Sequence, residues 1–200
     1  MPVLALDATG ERCAAAVLIG GRVLAERSRP ARRAPSEHIV AVLDEVLRAA
    51  GVGRRDVELV VACTGPGGFA GVRCGVAAAR GVALGIGAPA RGADRFEMLA
   101  AWPQASRRAL IRLPGPSGRL YLQRLRDGRL IGAPALLAAE DPQVRPEAAE
   151  AVLGPDAVAA AGWPALVAAA ARAKPARPAP LYLRPPDAVP QARCGQSPSP

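Results

Sequence analysis

The sequence predicts an α/β protein built on a mixed sheet. Three observations point there. Three apolar runs joined by tight turns open the chain, a stretch of helical period leads into a continuous apolar run, and a glycine-rich turn then enters a second helix.

The first run is Val3–Asp7, followed by Ala8-Thr9-Gly10-Glu11, which is turn chemistry. Cys13–Ile19 and Val23–Arg27 flank Gly20-Gly21, so the start reads as an antiparallel meander. Ser36 is placed to cap a helix whose first turn holds Glu37. Ile39, Val42, Leu43, Val46 and Leu47 follow at helical spacing, and Gly51 stops the helix. Val57–Cys63 is apolar throughout, as a strand covered on both faces requires. Gly65-Pro66-Gly67-Gly68-Phe69-Ala70-Gly71 then leads into a helix over Val72–Leu84. Each glycine inside that helix costs about 1 kcal/mol against alanine, so Gly75 and Gly81 need a packing reason. The order β-β-β-α-β-α is that of a ribonuclease-H-like, or actin-like, half domain.

The second half is less strongly patterned. A helix is expected over Arg95–Trp102, strands over Ala109–Leu113 and Leu120–Leu125, and a hairpin turn at Asp127-Gly128 before Leu130 and Ile131. Pro146–Leu153 and Pro164–Ala173 read as short helices and Val158–Ala161 as a strand. From Lys174 onward the chain is proline-rich, and Leu181-Tyr182-Leu183 is its one stretch able to dock. The expected divisions are 1–100, 101–183 and an extended tail over 184–200.

Composition bounds the function. Half of the 200 residues are hydrophobic but only 3% are aromatic, so the core is Ala, Val and Leu. The net charge of +9 invites polyanions. The arginines are scattered with few aromatics among them to stack bases, so direct nucleic-acid recognition is the weaker reading. Cys13, Cys63, Cys74 and Cys194 show no ligand spacing, and MPVLALD is not a secretory leader, so a cytoplasmic protein is expected. The run Val72–Pro89, broken by Arg73 and Arg80, does not read as a membrane span.

Three stretches are candidates for chemistry. Asp7 with Thr9 is an acid at a strand end beside a tight turn, where actin-like ATPases hold phosphate and metal. Glycines before a helix, Gly67 and Gly68 among them, admit an anion to backbone N–H groups. No Gly-Lys-Ser/Thr follows, and on spacing alone the turn is a packing device. Ser36-Glu37-His38 does not align a nucleophile with its base, because residues two apart on a helix face different ways. No catalytic or metal constellation emerges.

VLALDATGERCAAAVLIGGRVLAE, PSEHIVAVLDEVL, GPGGFAGVRCGVAAARGVALG and LYLRPPDA occur in an order and spacing that resemble the TsaB family of bacterial tRNA threonylcarbamoyladenosine biosynthesis proteins. The resemblance is clear over residues 1–97 and 181–188. It implies an actin-like ATPase fold of two ribonuclease-H-like subdomains, the second shortened here. It implies a non-catalytic dimerization subunit that pairs with a TsaD-like enzyme, with a TsaE-like ATPase as further partner. The complex would modify the adenosine next to the anticodon of ANN-decoding tRNAs. The tRNA is met through the complex, a homodimer forms when the chain is alone, and there is no membrane partner. No cofactor of its own is implied, with ATP or ADP at the complex interface.

The partner surface implied is on the first two helices: Ile39, Val42, Leu43, Val46, Leu47, Val72, Gly75, Val76, Ala79 and Arg80. Asp7, Thr9, Gly67, Gly68 and Arg73 are the candidates for nucleotide or phosphate contact. The family's block usually reads GPGSFTGLRIG. Here Gly68 and Ala70 replace its two hydroxyl residues, Pro35 stands for the histidine of its HSE, and Pro114 for the acid of its DARRGEVY. The alternative reading is a stand-alone actin-like ATPase or phosphotransferase, or a degenerate metallopeptidase relative.

Overall fold

A computed structural model describes residues 1–31, 35–172 and 177–183. The opening meander is β1 (Pro2–Asp7), β2 (Arg12–Ile19) and β3 (Arg22–Pro30). Helix α1 (Pro35–Ala50) leads to β4 (Leu59–Cys63), and α2 (Phe69–Ile86) to β5 (Ala90–Ala93). These strands form one sheet in the order β3-β2-β1-β4-β5. β1 pairs antiparallel with β2 and parallel with β4, and β5 adds parallel to β4. That is the mixed sheet the element order predicted. All five residues of β4 are buried, as its unbroken apolar run required.

β5 has no counterpart in the sequence reading. It is short, and Arg91 and Gly92 in Ala-Arg-Gly-Ala give no strand signal of their own. Its pairing with β4 decides it. α2 begins at Phe69, three residues before the expected Val72, because the glycine turn ends at Gly68 as N-cap.

Helix α3 (Arg95–Ala101) precedes a second sheet of β6 (Arg108–Pro114), β7 (Leu120–Arg126), β8 (Arg129–Leu137) and β9 (Ala151–Leu153), and α4 (Pro155–Arg172) follows. The order β8-β7-β6-β9 repeats that of the first sheet with one strand fewer. Asp127 and Gly128 both adopt positive φ, the tight hairpin turn their sequence signalled.

Two expectations for this half are corrected. Pro146–Leu153 is not a helix. Its end is β9, held by parallel pairing to β6, and Ala149 before it has φ 60°. Val158–Ala161 is not a strand but lies in α4, which starts at Pro155 and continues through the expected Pro164–Ala173 segment as far as Arg172. Gly162 (φ 58°, ψ −163°) breaks its helical path just before Pro164, and that breaker pair made one helix read as two elements. The expected tail over 184–200 and the capping side chain of Ser36 lie outside the described residues.

Among the described residues two large cores hold the chain, with a small third cluster of Leu110, Leu122 and Val144 on the second sheet. One face of the first sheet packs on α1 and α2 through Leu4, Leu6, Val42, Val46, Val60 and Val76. Its other face shares a core with the second sheet, filled from between by α3 and α4 through Phe96, Leu99, Ile111, Leu125 and Leu166. The ends of β1 and β6 therefore come to one cleft between the sheets.

Candidate functional site: the cleft between the sheets

The β1–β2 turn is held by Asp7. Its Oδ1 accepts from the Thr9 amide at 2.7 Å and the Thr9 hydroxyl at 2.6 Å. Its Oδ2 accepts from Nη2 of Arg95 at 3.3 Å. Arg95 opens α3, and its Nε is buried without a hydrogen-bond partner. Burial alone would lower the basicity of this guanidinium, but the Asp7 carboxylate and the Cys63 sulfur outweigh it and raise the pKa. Arg95 therefore stays a fixed cation in the cleft. The Cys63 thiol is pushed up to about 12, chiefly by burial and then by Asp7, so it is an inert core thiol.

The glycine turn lies directly on the β1–β2 turn. The Gly68 amide donates to the Thr9 carbonyl at 2.8 Å. A Cβ on Gly67 would stand 2.2 Å from the Thr9 carbonyl oxygen, and one on Gly71 only 1.9 Å from that of Ala8. These glycines are required because two backbones touch. Gly68 closes the start of α2 with no side-chain cap, so the first-turn N–H groups have no side-chain acceptor there.

Thr9, Gly67, Gly68 and Arg95 line a cavity of about 540 Å³ that Gly115 and Tyr121 close from the second sheet. Three of the five residues expected to touch a nucleotide or phosphate (Thr9, Gly67 and Gly68) thus line one cavity, and Asp7, outside its lining, is joined to it through Thr9 and Arg95. Arg73 is outside the lining. Its guanidinium lies 3.9 Å from the Phe69 ring centroid, and its Nε donates to the Tyr182 hydroxyl at 2.7 Å. Arg95 was missed, since 88 residues separate it from Asp7 and no local motif joins them. The cleft offers a cation and a helix start to an anion, with the acidic Glu11 also in its lining. A divalent cation at Asp7 would be repelled by the Arg95 guanidinium that stands against Oδ2.

The residues expected at a partner surface divide sharply. Ile39, Val42, Leu43, Val46, Leu47, Val72, Gly75, Val76 and Ala79 are all buried, and Gly75 lies against Ala8. Their apolar stripes pack inside the chain, most of them on the first sheet. Arg80 alone of the set is exposed, on the opposite side of α2 with Arg73, Ala77, Gly81 and Leu84. Leu84 is 86% exposed, and Val40 of α1 is 66% exposed. α2 is long and apolar enough to cross a membrane by length and composition, but its inner side is core.

A model of the TsaD family, tRNA N6-adenosine threonylcarbamoyltransferase, matches residues 27–123. The tRNA threonylcarbamoyladenosine biosynthesis protein TsaB of Haemophilus influenzae is 35% identical over 89 residues, 44% of this chain and 37% of that protein. An uncharacterized protein of Mycobacterium tuberculosis is 34% identical over 190 residues, 89% of this chain and 86% of its own length. The solved structure of YeaZ from Pseudomonas aeruginosa, YeaZ being TsaB, superposes with a TM-score of 0.63 at 28% identity, covering 76% of this chain and 74% of that one. The chain is similar to TsaB over part of its length and to the mycobacterial protein over nearly all of it. Its fold is that of the YeaZ structure, with two sheets of five and four strands. The match spans little more than a third of the H. influenzae TsaB, whereas the mycobacterial match runs through nearly the whole chain.

Proposed function

We propose that this chain is the non-catalytic subunit that pairs with a TsaD-like enzyme, in the cytoplasm, to support threonylcarbamoylation of the adenosine next to the anticodon of ANN-decoding tRNAs. The observation that carries the proposal is the outer side of α2. Ala77, Gly81 and Leu84 form an exposed strip of small and apolar residues flanked by Arg73 and Arg80. Small residues let another helix approach closely, and an exposed leucine gains by being covered. A TsaE-like ATPase joins the complex, tRNA is met through it, and the same strip pairs two copies when the enzyme is absent. The match of a TsaD-family model to residues 27–123 supports a partner built on the same half domain. ATP or ADP fits the proposal as an anion beside Arg95 in the cleft. The Arg95 guanidinium against Asp7 argues against steady metal-dependent turnover by this chain alone.

Co-purification with the TsaD-like enzyme tests the surface. Leu84→Asp and Ala77→Arg, at exposed positions, should abolish capture while leaving the melting temperature within about 2 °C, since surface changes usually stay within about 0.5 kcal/mol. Capture at the wild-type level by both variants would remove the outer side of α2 from the interface. Leu43→Arg or Val76→Arg would not serve, because both positions are core and the chain itself would be destabilised.

A further inference from the structure

A second concavity lies away from the cleft, where the end of α2, β5 and the C-terminal segment meet. It encloses about 640 Å³ and is lined by Arg80, Arg91 and Arg177, with no carboxylate in its lining among the described residues. The remaining wall is aliphatic, Leu84 and Pro89 among it. Arg91 Nη1 makes one long contact, 3.4 Å, to the Ala171 carbonyl at the end of α4. Arg80 and Arg177 have no ion-pair partner among the described residues.

The position of Arg177 is built rather than incidental. Pro178 beside it is buried, and a Cβ on Gly92 would stand 2.9 Å from the Pro178 ring, so the segment lies directly on β5. Four residues on, the Leu181 amide donates to the Thr64 carbonyl at 2.8 Å. The C-terminal segment is thereby pinned along the parallel edge of the first sheet, with its arginine at the rim of the concavity.

Three guanidinium groups around one hollow repel one another, and the free carbonyls at the C-terminal end of α2 offset only about half a charge. A ligand carrying several phosphates relieves that repulsion, and planar guanidinium forks match phosphate oxygens. The aliphatic side chains of the wall carry no donors or acceptors to read bases and no aromatic ring to stack them. Contact is therefore with the backbone and independent of sequence.

We propose that Arg80, Arg91 and Arg177 form a clamp for the sugar-phosphate backbone of RNA, which places part of the tRNA on this chain rather than only on its partner. The choice of tRNA rests on the function proposed above, but the clamp is measured without the enzyme. Unmodified tRNA is titrated into the purified full chain across a salt series. The variant R80A/R91A/R177A should weaken binding about tenfold or more near 0.1 M salt and flatten the log K against log salt slope by about 2 to 3, one phosphate per arginine.

R80Q/R177Q, at two exposed positions, repeats the test should β5 need Arg91, with a slope change of about 1.5 to 2. The control R22A/R48A/R55A removes the same charge elsewhere and should leave most of the affinity. An equal loss in the control would reduce the effect to net charge and overturn the clamp. So would unchanged tRNA affinity in both clamp variants, or binding of tripolyphosphate or ATP in this hollow without tRNA. Loss of capture of the TsaD-like enzyme by R80Q/R177Q with tRNA affinity intact would assign the arginines to partner carboxylates instead. Failure of Ala77→Arg to disturb the complex would overturn the pairing surface and leave this measurement unaffected, since Ala77 does not line the hollow, whereas Leu84 does.

Discussion

A Cβ at position 71 would meet a backbone carbonyl at 1.9 Å, and one at position 68 meets nothing closer than 3.7 Å. The two glycines of one turn therefore differ in kind. Gly71→Ala forces the β1–β2 turn and α2 apart and should cost about 3 kcal/mol, seen as a lower urea midpoint at unchanged slope. Gly68→Ser, which returns a hydroxyl that the family usually carries there, should change stability by less than about 0.5 kcal/mol. A tolerated Gly71→Ala would mean that the turn and helix are not in contact as described. Asp7 and Arg95 show the other residue-level lesson. An acid at a strand end reads as a metal or phosphate group until its partners are known. Here its own turn takes one oxygen and a guanidinium takes the other.

Helix α3 is only seven residues long and depends on its cap. Asp94 Oδ1 accepts from the amides of Phe96 and Glu97, both at 2.8 Å, and Glu97 Oε2 accepts in return from the Asp94 amide. Burial raises the Asp94 pKa to about 6, with the Glu97 charge adding to it and the two amide bonds opposing. An unfolded aspartate titrates near about 3.9, so between roughly pH 4 and 6 the folded chain binds more protons than the unfolded one. Stability from this group is therefore greatest at the acid end of that window, falls as pH rises through it, and is level above. Asp94→Asn keeps a capping oxygen but loses the titration. The melting temperature of the wild type minus that of the variant should increase as pH is lowered from 7 to 4.5. A constant or shrinking difference would place Asp94 in an ordinary, solvated carboxylate environment. α2 teaches a related point. Its apolar and small residues were legible as a helix with a packing purpose. Which of its sides faces the sheet was not legible, because a helix apolar nearly all round carries no marker of inside and outside.

At the scale of the whole molecule, one core joins the two sheets. Phe96 and Leu99 of α3 and Leu166 of α4 lie in the same cluster as Val61 of the first sheet and Ile111 of the second. No apolar surface separates the halves as independent units, so thermal unfolding should be a single transition with equal calorimetric and van't Hoff enthalpies. Two resolved transitions would show that the shared core is not cooperative. The first half of this architecture was readable because its strands alternate with tight turns and a helix of clear period. The second half was not. β9 is three residues long and exists through its pairing to β6, and Gly162 with Pro164 split the pattern of one helix.

The meander, the helix-connected strand and the glycine turn were legible in the sequence alone. Each of these rests on neighbours within a few residues: alternation, helical spacing, and backbone freedom at glycine. Asp7 with Thr9, Gly67 with Gly68, and Arg73 were legible as candidate phosphate contacts, and the fold holds Arg73 on Phe69 and Tyr182 instead. The fold alone brings Arg95 to Asp7 as a cation. Only it decided that β5 and β9 are strands, and that the chain buries the inner stripes of α1 and α2 and leaves Arg80 and Leu84 outside. The physical reason is common to all of these. Strand pairing, ion pairing and burial are settled by residues brought together from distant parts of the chain, and nothing in a local pattern records which of them will meet.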